Sequence, residues 1–480
     1  MGERHNNMKQ TQFPNYAIIN GQTVLGAGAS IDIINPANEQ VLTRINSNTT
    51  AQFEQAVVAA QAAFPLWRDL GDGKRTELLL QAADAIEKHV DDIATLLTLE
   101  QGKTLALAQF EMQGTLAWLR HTASLLVPIE VLEDSDHKRI ELHHEPIGVV
   151  GSITPWNWPV MIAMWHMVSA LKAGNVVVNK PSEYTPLSTI RMVEVVNSVL
   201  PAGVLSVVVG GGEMGAAFSA SNGIQKIVFT GSTPTGQTIY RHSAALMRPL
   251  TLELGGNDAA IVLPDVDVDT VAAGIFAGAF INGGQTCAAL KRLYVHESIC
   301  AALGQKLADI ADAVVVGDGM AAGSQLGPVQ NKVQFDKVNQ LLQDALASGA
   351  RQLTTSTQKP ATGYFIRPTI VVDIANDAAL VQQEQFGPVL PIVAYRTLDE
   401  ALAMANDMAF GLGGSVWSQD VVVAQELAAK MQTGTVWVNG HAEVVPHAPF
   451  GGWKLSGIGC EFGLEGLLAN TRQKAVHIYK

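Results

Sequence analysis

The chain has 480 residues, long enough for two to four domains with well-buried sheets. A hydrophobic content of 48% with 16% charged residues excludes a disordered chain. The net charge of −13 is spread along the sequence without a basic run or an aromatic–basic stripe, which argues against a nucleic-acid partner.

In chain order, Ala51 to Trp67 and Lys74 to Thr98 carry apolar residues at helical spacing. Short β-rich runs then alternate with helical stretches. Gly148 to Ile153 precedes an apolar helix beginning near Pro159, and Asn175 to Lys180 precedes a helix over Pro186 to Val199. Leu205 to Val209 and Lys226 to Phe229 repeat the pattern. Continuous Val/Ile runs suit parallel strands buried on both faces, so the expectation is a doubly wound α/β unit. From about Leu252 the alternation restarts, with strands expected at Ala259 to Leu263, Arg292 to Val295, Ile370 to Val372, Ile392 to Tyr395 and Thr435 to Val438. Lys138 to His144 and Gln473 to Tyr479 alternate like exposed strands, which invite pairing with another chain, so they are read as an oligomerisation arm.

Cys287, Cys300 and Cys460 form an odd set with no Cys-x-x-Cys, which suits a reducing cytoplasm and leaves no metal site to expect. Met1 to Asn15 is polar and lacks the apolar core of a secretory signal. The most apolar stretch, Trp158 to Leu171, is too short to span a bilayer and contains His166, so a buried helix is expected and no membrane partner.

Cys287 follows Asn282-Gly283-Gly284-Gln285-Thr286, where glycines let backbone approach a ligand closely. A thiolate can add to a carbonyl, and Glu253, in Glu253-Leu254-Gly255-Gly256, is the candidate base for the thiol or for a later water. Cys300 and Cys460 read as inert. Asn157, in Pro155-Trp156-Asn157-Trp158-Pro159, lies between a strand and a helix, where its side-chain amide could hold an oxyanion or merely cap a turn.

Gly210 to Gly215 formally matches G-x-G-x-x-G, but it comes late in the fold and lacks an acidic residue about twenty positions on. The better phosphate candidate is Thr230-Gly231-Ser232-Thr233-Pro234, between a strand and a helix N-terminus. Lys180-Pro181-Ser182-Glu183 sits at the carboxyl end of a strand. There Lys180 could donate to sugar hydroxyls and Glu183 could accept from a ribose 2′-OH while repelling a 2′-phosphate, favouring NAD over NADP.

Taken together and in order, these strings resemble the aldehyde dehydrogenase superfamily over nearly the whole chain. Further matches are Glu384-Gln385-Phe386-Gly387-Pro388, Gly434 to Asn439, and Pro449-Phe450-Gly451-Gly452 with Lys454, Ser456 and Gly457. The resemblance implies an atypical Rossmann NAD-binding domain over residues 1–125 and 147–252. It also implies an α/β catalytic domain over 253–448 and an arm over 126–146 and 466–480 that forms a homodimer or homotetramer.

The resemblance further implies that Cys287 attacks the aldehyde, that Asn157 and the Cys287 backbone N–H hold the oxyanion, and that hydride passes to the nicotinamide. Glu253 then activates water to release the acid. Lys180 and Glu183 match the adenine-ribose positions, Gly231 and Ser232 the pyrophosphate positions, and Glu384 with Phe386 the nicotinamide side. Trp156 and Gly255 belong to the same cofactor set. Trp158, Trp165, Thr286, Ala288, Val444 and Phe450 fall where the family lines its aldehyde funnel.

Two departures stand out. The paired carboxylates before Phe-Gly-Pro read Gln383-Glu384, and the usual Gly-Arg-Glu reads Gly459-Cys460-Glu461. No arginine guards the funnel, so a medium-sized aliphatic or aromatic aldehyde is expected rather than a carboxylated semialdehyde. The rival readings are a CoA-acylating semialdehyde dehydrogenase, a cysteine hydrolase and a non-catalytic member of the fold. Each lacks support, because the first typically lacks the carboxylate seen at Glu253, the second needs a supported His partner, and the third would have lost Cys287 or Glu253.

Overall fold

The computed structural model describes residues 13–480, so the reading of Met1 to Asn15 falls almost wholly outside the described residues. Two large sheets organise the chain. The first has eight strands, and its central five are parallel in the order Leu205–Val207, Val176–Lys180, Val149–Ile153, Lys226–Thr230 and Leu250–Glu253. Every residue of Val149–Ile153, Val176–Lys180 and Lys226–Thr230 is buried, as unbroken β-branched runs covered by helices on both faces require. The connections run outward from Val149–Ile153 in one direction and then, from Lys226–Thr230, in the other. That reversal creates a crevice at the carboxyl ends of these two strands, the usual place for a ligand in an open α/β sheet.

The second sheet has seven strands. From Thr369–Val372 through Val389–Tyr395, Leu290–His296, Asp258–Val262 and Gly413–Trp417 to Thr435–Val438 all neighbours are parallel, and Arg351–Gln352 adds an antiparallel edge. The four residues Leu254 to Asn257 carry the chain from the last parallel strand of the first sheet into the second.

Helix starts follow local chemistry. At the helix Thr50–Asp69, Thr49 accepts from the Gln52 N–H at 3.3 Å and the Gln52 side chain accepts from the Thr49 N–H at 3.1 Å, a reciprocal cap. The pattern over Lys74 to Thr98 is two helices rather than one, Asp72–Glu87 and Val90–Gln101. The break falls at His89, whose backbone leaves helical geometry (φ −119°, ψ 11°), and Asp91 and Asp92 favour the new N-terminus. The two exposed strands found in the sequence pair with each other. Lys138–Pro146 runs antiparallel to Thr471–Tyr479 over nine positions, and Glu130–Asp134 lies on its other side. Pairing within the chain uses one edge of the Thr471–Tyr479 strand and leaves its other edge unpaired among the described residues.

Among the described residues no helix is long and apolar enough to cross a membrane. Trp158 to Leu171 is the buried helix Pro159–Lys172, as its composition requires.

Candidate active site

The crevice of the first sheet opens into a cleft of about 430 Å³ lined by Trp156, Lys180, Glu183, Gly211, Gly231 and Ser232. A deeper cavity of about 190 Å³ shares Trp156, Gly231 and Ser232 and continues to Asn157, Gly255, Cys287, Glu384 and Phe386. One hollow therefore runs from the strand ends of the first sheet to the thiol. Every cofactor residue expected from the sequence lies on its wall. The misleading glycine string contributes Gly211, Gly212 and Gly215 to that wall, at the start of the helix Gly212–Ala220.

Lys180 is buried and its Nζ lies 3.5 Å from Glu183 Oε2, with burial lowering the ammonium pKa. Ser232 stands at the N-cap position of the helix Thr233–Ala244 in extended backbone, its hydroxyl paired with that of Thr235 at 2.9 Å, and Pro234 lies in the first turn. Glu384 accepts from the Gly256 N–H at 3.1 Å, and burial raises its carboxyl pKa. A Cβ on Gly255 would stand 2.7 Å from Glu384 Oε2, so any larger residue would push the Glu384 carboxyl aside. Phe386 holds a left-handed backbone (φ 51°), and its ring packs edge-on against Trp156 at 5.4 Å.

The loop leading to Cys287 is built on tight backbone. The helix Val268–Phe280 ends in a turn where Asn282, Gly283 and Gly284 have φ of 50°, 64° and 72°. A Cβ on Gly284 would meet the Gly387 carbonyl at 2.4 Å, so only glycine fits that approach. Asn157 is buried and donates one side-chain N–H to the Gln285 carbonyl at 2.9 Å, leaving its second N–H for a ligand. Its own carbonyl accepts from Lys103 Nζ and from the Asn282 amide, each at 2.9 Å. Lys103 is fully buried and paired with Glu111 at 2.5 Å, while Glu111 Oε1 accepts from the N–H groups of Val160 and Met161. This ion pair clamps the turn that presents Asn157 from both ends. Its two members lie outside every string singled out in the sequence.

Burial pushes the Cys287 thiol up to about 12. The Lys291 ammonium opposes the shift, and the charges of Glu253, Asp258 and Glu384 add to it. The resting thiol is therefore protonated and needs a base. Glu253 ends the strand Leu250–Glu253, with both carboxyl oxygens buried and unpartnered. Burial, reinforced by the charge of Glu461, holds its pKa well above the usual carboxylate range. Glu461 Oε1 lies 3.1 Å from Nε2 of buried His166, which also contacts Thr230 Oγ1 at 2.9 Å.

On the other side of the thiol, Trp118, Ala288, Leu412, Phe450 and Phe462 form an apolar cluster, with Trp165, Trp437 and Val444 packed against it beside Cys287. Four expected funnel residues, Trp165, Ala288, Val444 and Phe450, belong to it. Trp118 and Phe462 were missed, one on a distant helix and the other held in an unusual left-handed conformation (φ 66°). Trp158 packs with Met161 and Ile162 under the Lys103 ammonium, and its indole N–H donates to Thr286 Oγ1 at 2.9 Å. Trp165 packs against both this group and the apolar cluster.

The aldehyde dehydrogenase family model matches residues 24–476. Phenylacetaldehyde dehydrogenase of Pseudomonas fluorescens is 36% identical over 97% of this chain and 96% of that one. The aldehyde dehydrogenase LUC3 of a Fusarium species is 36% identical over 98% of this chain and the whole of the other. Among solved structures, the NAD+ complex of an aldehyde dehydrogenase from Bacillus cereus superposes with a TM-score of 0.95 at 34% identity, covering 99% of both chains. The chain belongs to the aldehyde dehydrogenase family. It is an oxidoreductase that oxidises an aldehyde with a nicotinamide dinucleotide.

Proposed function

We propose that the protein oxidises an apolar, preferably aromatic, aldehyde to its carboxylic acid with NAD, using Cys287 as nucleophile and Glu253 as general base. The observation that carries this reading is the pairing of a protonated thiol at the end of the cofactor-sized hollow with a buried, unpartnered carboxylate of raised pKa whose charge acts on that thiol. A carboxyl group whose pKa is raised by burial and a like charge is the stronger proton acceptor once ionised.

The residues present fit a bound dinucleotide. Lys180 and Glu183 would hold the adenine ribose, Gly231 and Ser232 the pyrophosphate, and Glu384 with Phe386 the nicotinamide ribose and ring. Trp156 and Gly255 form the wall between them. When bound, the nicotinamide supplies the hydride acceptor. The chain's own residues do the rest. Glu253 removes the thiol proton, Cys287 Sγ adds to the carbonyl carbon, and the free N–H of Asn157 with the Cys287 backbone N–H stabilises the oxyanion. Glu253 gives the thiol proton up to solvent, and the adduct is oxidised to the thioester. Glu253 then takes a proton from water, whose oxygen adds to the acyl carbon, and passes that proton to the departing Cys287 sulfur. Glu183 would repel a 2′-phosphate, which supports NAD over NADP.

The aromatic cluster beside Cys287 supports an aryl or arylalkyl substrate, and one relative at 36% identity is named for phenylacetaldehyde. Absorbance of the reduced nicotinamide, followed with NAD or NADP across phenylacetaldehyde, benzaldehyde, acetaldehyde and succinic semialdehyde, tests the reading. A ranking led by succinic semialdehyde would overturn the substrate class, and turnover only with added CoA would overturn the hydrolytic route. The cytoplasm suits three free thiols. The three-stranded arm exposes Leu126, Ile129, Val131, Leu132 and Tyr479, which supports a homodimer or homotetramer, and light scattering in solution tests that.

A further inference from the structure

Lys291 is the second residue of the strand Leu290–His296 that follows Cys287, and at 2% exposure it is one of the largest fully buried side chains among the described residues. Its Nζ donates to the carbonyls of Thr286 at 2.6 Å, Cys287 at 3.1 Å and Ala289 at 3.4 Å. It also stands 4.0 Å from Glu384 Oε1 and 5.5 Å from the centre of the Phe386 ring. One ammonium thus touches both the loop that carries the thiol and two residues of the cofactor cavity. Burying it is costly unless its donors are satisfied, and the loop carbonyls satisfy them.

We propose that Lys291 is the positioning residue of the nucleophile, holding the 286–289 loop by its carbonyls and placing a fixed positive charge beside the reacting sulfur. The proposal rests on the reading of Cys287 as nucleophile. A neighbouring cation favours the thiolate over the thiol, while Glu253, Asp258 and Glu384 disfavour it. The charged and titratable groups on which the Lys291 ammonium acts are Glu384, Asp258, His441 and Lys337, together with Cys287 itself. Its tie to Glu384 links the cofactor's side of the cavity to the thiol's loop.

The test is the pH profile of Cys287 alkylation by iodoacetamide in the full-length protein, with the labelled cysteine located by peptide mapping. Lys291→Met should displace the profile to higher pH by about one unit, because a cation close to an ionisable group shifts it by that order. Lys291→Gln keeps an amide donor for the carbonyls but loses the charge, and should show the same displacement even where Lys291→Met folds poorly. Lys291→Arg should restore the profile, and rates of NAD reduction by aldehyde should follow the same order. Profiles of the Gln and Met variants that superpose on the unaltered protein's, with Cys287 the labelled residue, would overturn the proposal. Alkylation that leaves oxidation intact would instead overturn the nucleophile reading.

Discussion

The buried Lys103 ammonium donates to the backbone carbonyl of Asn157 at 2.9 Å, across 54 residues of sequence, and so fixes the turn whose side chain faces the thiol's loop. Lys103 and Glu111 are both fully buried, and Glu111 also receives two backbone N–H groups at the start of the Pro159–Lys172 helix. Removing one charge leaves the other buried and unpaired, a loss of about 3–5 kcal/mol. Lys103→Met and Glu111→Leu should each lower stability by that order in chemical denaturation. The double variant should recover most of it while kcat stays depressed, because Asn157 has lost its anchor. Full recovery of kcat in the double variant would confine the pair to stability.

Cys287→Ala should leave cofactor binding intact, measured by calorimetry or fluorescence quenching, and lower aldehyde oxidation by about 10⁴-fold or more, the scale on which a covalent nucleophile is lost. Cys300→Ala should be close to neutral, since Cys300 packs beside the core of the second sheet, away from the hollow.

On the proposed role of Glu253 as general base, it should govern the acid limb of the pH–rate profile. Its folded pKa is raised by burial and by Glu461, so the basic form exists only above that raised value and activity should fall as pH drops through it. Glu461→Gln removes a like charge, lowers the Glu253 pKa and should move the limb to lower pH. Glu253→Gln should slow turnover by roughly 10²-fold or more and flatten the limb. A limb unmoved in both variants would assign it to another group.

Glu183→Ser removes the carboxylate that would oppose a 2′-phosphate. The ratio of kcat/KM for NAD over NADP should fall by about tenfold or more, equivalent to roughly 1.4 kcal/mol. A ratio that stays constant would place cofactor discrimination elsewhere in the cleft.

The reacting strings were legible because their chemistry is local. Glycines beside Cys287 and Glu253, and an Asn between a strand and a helix, announce close backbone approaches within a few residues. The parallel strands were legible because both faces are buried, so their Val/Ile runs are continuous. The supports were not legible, for physical reasons. Lys103 and Glu111 look like ordinary polar positions of helical segments, and only the tertiary fold buries them against each other. Lys291, in Ala288-Ala289-Leu290-Lys291-Arg292, reads as a solvated residue at a strand start, and its ammonium turns back to carbonyls that the sequence gives no reason to expect nearby. Trp118 and Phe462 reach the cluster from segments far from the thiol.

The passage Leu254 to Asn257 gives the reaction an unusual vulnerability. Glu253 belongs to one sheet and Cys287 leads into the other, so no single sheet owns the proposed base and nucleophile. Competence is therefore a property of how the two halves are seated, and gentle heating or dilute denaturant should silence turnover while the far-ultraviolet signal of both sheets is still whole.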